Sequence, residues 1–88
     1  MDNNLLEFDD VYLIAYLQAK GYSYTGLKQS GRFVSFQFNP ADRVKINQSA
    51  LEYRAGGMVS ARIYAESIKE IKKVISKTLR AEGSQVRR

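Results

Sequence analysis

Asp9 and Asp10 stand side by side, with Asp2 and Glu7 shortly before them. Adjacent carboxylates at a helix entrance diverge by about 100°, so they do not form the facing pair that acid–base catalysis requires. Asp2, Asp9 and Asp10 also lack the loop spacing of a calcium site. The chain contains no histidine and no cysteine. That removes imidazole and thiolate nucleophiles, disulfides and the usual zinc ligand sets together, and leaves only Ser, Thr or Lys with an unusual base as a nucleophile. Gly56-Gly57 precedes a helical segment, but neither a Gly-Lys-Ser/Thr sequence nor a repeated glycine fingerprint accompanies it, so the pair reads as a helix stop rather than a phosphate cradle. The expectation is a protein that is not an enzyme and holds no metal and no cofactor.

The chemistry that remains is electrostatic. The 88 residues carry a net charge of +5, and residues 60–88 hold eight basic side chains against three acidic ones, which accounts for the whole excess. In that region Tyr64, Ile68, Ile71, Ile75 and Leu79 recur at helical spacing. A rotation of about 100° per residue then places Arg62, Lys69, Lys72, Lys73, Lys77 and Arg80 on the opposite arc, with Glu66 and Glu70 among them. Such a face can neutralise phosphates, with strong salt dependence and little sequence preference. The candidate nucleic-acid-binding residues are Lys69, Lys72, Lys73, Lys77, Arg80, Arg87 and Arg88. The competing account is a lysine-rich helix face that serves only solubility.

A second candidate surface is aromatic. Tyr22 and Tyr24 share a face if their segment is a strand, and Phe33 points away from the core set of the next strand. Beside a basic groove these rings suit stacking on single-stranded bases; alternatively they pack under a helix or bind a second chain. Two function classes follow. One is a nucleic-acid-binding accessory protein, favoured by the charge asymmetry. The other is a protein-interaction or inhibitory module, a homodimer that uses Tyr22, Tyr24 and Phe33.

The elements that must position these groups are legible in part. Asp9 or Asp10 caps a helix over Val11–Leu17, with Val11, Ile14 and Ala15 on one side and Leu17 and Leu13 near its edge, and Lys20-Gly21 stops it. Tyr22–Leu27 and Arg32–Phe38 read as two strands joined through Lys28-Gln29-Ser30-Gly31, with Val34, Phe36 and Phe38 on the core face. Asn39-Pro40-Ala41-Asp42 starts a helix that runs through Val44, Leu51 and Tyr53 to about Arg54, although its apolar stripe is poor. Ser60 caps the last helix. The fold class is α+β, in the order helix, β-hairpin, helix, helix, as one domain over residues 1–80 with a flexible basic tail over 81–88. No apolar run approaches the roughly 20 residues that span a bilayer, and Met1–Asp10 lacks the positive region of a secretory signal. A soluble protein of the cytoplasm, without membrane association, is expected.

Val11–Tyr22, Arg32–Phe38, Val59–Tyr64 and Ile68–Lys72 together give the chain a likeness to known sequences. Over about Phe8 to Ile75 it resembles a small prokaryotic and phage family known only as a domain of unknown function. The matching positions are mostly core positions, so the resemblance implies a compact single domain and a bacterial, archaeal or phage source, and brings no functional residue with it.

Overall fold

Five consecutive buried residues, Leu13 to Leu17, sit in the first helix and organise the rest of the molecule. The computed structural model describes residues 6–86, with side chains as far as Arg80. Helix α1 (Val11–Ala19) is capped by Asp10, whose Oδ1 accepts from the backbone N–H of Tyr12 at 3.0 Å and of Leu13 at 3.3 Å. A helix that is apolar on every side must be covered on every side. The one-sided stripe expected for this segment is therefore replaced by a central helix, with a sheet on one flank and two further helices on the others. It ends where expected, at Lys20-Gly21, and the Tyr22 N–H closes the turn on the Leu17 carbonyl at 3.0 Å.

The sheet has three antiparallel strands rather than two. Strand β1 (Leu6–Phe8), which the sequence did not announce, lies beside β3 (Phe33–Phe38), and β2 (Gly26–Ser30) lies on the other side of β3. Register pairs Leu6 with Phe38 and Phe8 with Phe36. The alternation expected of β3 holds, since Val34, Phe36 and Phe38 are buried and Phe33 is exposed. The Phe8 and Phe38 rings meet edge to face at 5.8 Å. The hairpin differs from expectation at both ends of β2. Residues Tyr22–Thr25 are loop rather than strand, and β2 continues through Ser30 to a turn at Gly31-Arg32. Gly31 supplies the left-handed φ of 61° that this turn needs.

Asn39 begins the next segment as expected, its side chain accepting from the Ala41 N–H at 3.0 Å over a 3-10 turn at Pro40–Asp42. Helix α2 (Arg43–Arg54) follows. It runs through Val44, Leu51 and Tyr53 to Arg54 as expected; Val44 and Leu51 are exposed, and the buried side is Ile46, Ser49 and Ala50, with Tyr53 packed against the core. Ile46, Ala50 and Tyr53 stand at i, i+4 and i+7, the spacing of one helix face.

Helix α3 (Ala61–Val86) lies along α1. Ser60 Oγ accepts from the Ile63 N–H at 3.4 Å, which gives the expected start. The expected stripe faces inward, with Ile71 fully buried, and Ser67, Val74 and Thr78 complete it. The Thr78 hydroxyl is satisfied by the Val74 carbonyl at 2.8 Å. The helix continues to Val86, beyond the end expected near Arg80, because nothing in Ala81–Val86 forces a stop. Among the described residues no helix is long and apolar enough to cross a membrane.

Candidate nucleic-acid interface and a tyrosine-lined cavity

The solvent side of α3 carries the predicted basic residues. Helical rotation places Arg62, Lys69, Lys73 and Arg80 within about 40° of one line, with Lys77 and Lys72 flanking it on opposite sides. All six are exposed. Lys69, Lys73, Lys77 and Arg80 form no ion pair with another described residue. Lys72 leans toward α1, its Nζ 5.6 Å from the centre of the Tyr12 ring, a cation–π contact that leaves the charge unneutralised. Glu66 and Glu70 fall on the Lys77 side of the ridge. The Lys72 side of α3 holds no carboxylate as far as Arg80. The Arg87 and Arg88 candidates lie outside the described residues.

The aromatic candidates are not brought together. Tyr22 and Tyr24 occupy the loop before β2 and pack against the core, Tyr24 meeting the buried Phe36 ring edge to face at 4.9 Å. Phe33 is 72 % exposed at the hairpin end, on the opposite face of the sheet from Phe36.

A different group of tyrosines does converge. Tyr16 of α1, Tyr53 of α2 and Tyr64 of α3 line a cavity of about 380 Å³ with Gly57, Met58, Val59 and Ala61. That volume falls at the lower end of small-ligand sites. Tyr16 and Tyr53 have ring centres 5.5 Å apart at 52°. The Tyr64 hydroxyl donates to the Tyr12 carbonyl at 3.3 Å. Burial pushes the Tyr64 phenol above its ordinary value, with the neighbouring Tyr53 adding to the effect. Sequence reasoning missed this site because its rings come from three helices far apart in the chain; the one local signal was Gly57, which must stay bare.

At Gly57 the backbone N–H donates to the Glu52 carbonyl at 2.6 Å, and an added Cβ would run into the Tyr16 hydroxyl and come within 2.9 Å of that carbonyl. Gly57→Ala is expected to cost roughly 1–3 kcal/mol, the range for overpacking, read as a lower thermal midpoint. Because the phenolic oxygen is the nearest obstacle, the penalty should shrink in a Tyr16→Phe background. An equal penalty in both backgrounds would place the strain in the backbone instead.

Behind the cavity, Glu52 ties α2 to α1. Its Oε1 accepts from the Tyr16 hydroxyl at 3.2 Å and pairs with Lys20 Nζ at 3.1 Å. The Lys20 hydrogen bond and charge hold the Glu52 carboxyl below its usual range, with the Tyr16 hydroxyl adding to them. Glu52 in turn raises Lys20, while burial first and Glu52 second raise Tyr16. A lowered carboxyl stabilises the fold above its unfolded value and stops doing so as pH falls through the folded one. The raised lysine and phenol stabilise it below their unfolded values and stop doing so as pH rises through the folded ones. The stability gap between wild type and Glu52→Gln should therefore stay flat from about pH 5 to 9 and close on both sides. Denaturant midpoints across that range measure it. The gap should be small, since both charged groups reach solvent.

Among the described residues no three His, Cys, Asp or Glu side chains gather as a metal-ligand set. Comparison with protein-family models, with curated proteins and with solved structures finds no match to this chain.

Proposed function

We propose that this protein is a nucleic-acid-binding accessory protein of the cytoplasm, a binding module without catalytic activity, that grips phosphates through α3. One observation carries the reading. Lys69, Lys73, Lys77 and Arg80 form an exposed ridge without ion-pair partners among the described residues. A face kept only for solubility gains from mixing both signs into local pairs, and this ridge leaves its cations unpaired. Successive lysines at i, i+4 rise about 6 Å along the helix, so several phosphates of one backbone can be met in sequence. Binding of labelled single- and double-stranded DNA and RNA over about 50 to 200 mM salt tests it, since phosphate contacts release counterions and make affinity fall steeply with salt. Absence of binding at the lowest salt would leave the lysines as a solvated face.

A second reading, a protein-interaction module that self-associates, draws on exposed apolar groups. Val44, Leu51 and Met58 recur every seven residues along α2 and its exit, and Phe33 is exposed at the hairpin. Sedimentation equilibrium separates the two, because this reading requires a dimer or a captured partner and no dependence on the lysines.

A further inference from the structure

The cavity and the ridge suit opposite ends of one ligand. No residue lining the cavity carries a formal charge, and the nearby Lys20–Glu52 pair neutralises itself. A phosphate has no counter-charge there. Phenol faces and a thioether suit a flat, uncharged ring instead. Helix α3 joins this apolar site to the lysines. Ala61 on the cavity wall and Lys72 are three full turns plus about 20° apart, so they lie on the same side of the helix, about 16 Å from one another along its axis. Tyr12 stands between them: its carbonyl accepts from Tyr64 and its ring faces Lys72. On α3 itself that side is free of carboxylates as far as Arg80; the acidic group that reaches this region is Asp10 of α1, whose charge acts on the Tyr64 phenol while its carboxylate caps α1.

We infer that the cavity between Tyr53 and Tyr64 receives one unpaired base of a single-stranded nucleic acid whose phosphates pass along Lys72 and Lys69. The inference rests on the nucleic-acid reading above and narrows it to single strands. A base in a duplex has both faces covered by its neighbours and cannot enter without being extruded, whereas an unpaired base stacks on aromatic side chains with little sequence preference. The ridge continues past Lys72 to Lys73, Lys77 and Arg80, more cations than one nucleotide can use, which favours a strand over a free nucleotide.

The test compares a labelled oligothymidine with a duplex of equal length at about 50 mM salt. Tyr53→Leu should weaken strand binding about 5- to 150-fold, the effect of one lost stacking contact, and leave duplex affinity and the salt slope unchanged. Tyr53→Phe, which keeps the ring, should retain strand affinity. In the wild-type protein the Met58 and Val59 methyl resonances should shift with the strand and not with the duplex, which decides the matter even if Tyr53→Leu fails to fold. Strand binding with unmoved methyls and an indifferent Tyr53→Leu would overturn the cavity assignment while leaving the phosphate grip in place. Thymidine monophosphate shifting the methyls as fully as the strand at equal concentration would overturn the strand in favour of a free nucleotide. No binding of either oligonucleotide would overturn both readings.

Discussion

Phe36→Ala should leave the protein without a cooperative unfolding transition, or with one at a much lower midpoint, while Phe33→Ala should change stability by less than about 0.5 kcal/mol. The two residues have the same chemistry and lie three apart on one strand. Phe36 is 0 % exposed, paired with Phe8 and Leu27 across the sheet, met edge-on by Tyr24 and included in the core with Ile14, Leu17, Ile46 and Ile71. Truncating a buried phenylalanine costs about 3–5 kcal/mol. An 88-residue domain has about 4–13 kcal/mol in total, so the loss is a large share of its stability. Phe33 is on the other face and mostly in water. Chemical denaturation of both variants checks the contrast. An equal cost at Phe33 would mean that the outer face of the sheet is covered in solution, as the self-association reading requires.

Neutralising Lys69, Lys72, Lys73 and Lys77 together as glutamine should abolish measurable nucleic-acid binding near physiological salt while lowering the thermal midpoint by no more than about 8 °C. The four side chains are exposed, and glutamine is nearly as good a helix former as lysine, so the loss of the Lys72 contact with the Tyr12 ring, about 0.5–1 kcal/mol, is the main cost to the fold. On a single strand each phosphate contact contributes about 0.7 to the logarithmic salt slope. Removing four should flatten the slope by about 3, so that between 50 and 200 mM salt the wild type loses about 50-fold more affinity than the variant does. Fluorescence anisotropy across that range reads both quantities. A variant that keeps the wild-type slope would show that these lysines do not meet phosphate.

The basic ridge was readable in the sequence because a helix repeats its faces every 3.6 residues, so the apolar residues from Tyr64 to Leu79 fix the arc on which the lysines must fall. The alternation of β3 was readable for the same kind of reason, as were the Asp10, Asn39 and Ser60 caps, whose side chains act on backbone within three residues of themselves. Strand β1 was not. Three residues carry too little pattern, and Leu6–Phe8 is a strand because β3 offers an open edge, with Gln37 Nε2 donating to Glu7 Oε2 at 2.9 Å across it. The facing of α2 escaped because both of its sides hold apolar residues, and only the position of α1 selects Ile46, Ala50 and Tyr53 over Val44 and Leu51.

By itself the sequence determined the α+β class, the three helices, the hairpin, the core face of β3 and the location of the positive charge. Each is a periodic or local property, set by the backbone's own geometry. Tertiary structure alone decided that Leu13–Leu17 of α1 are enclosed while Tyr12 stays exposed, that Tyr22 and Tyr24 turn inward while Phe33 stays in water, and that Tyr16, Tyr53 and Tyr64 line one cavity. Those outcomes depend on which surfaces of distant elements meet, and no short-range pattern carries that information.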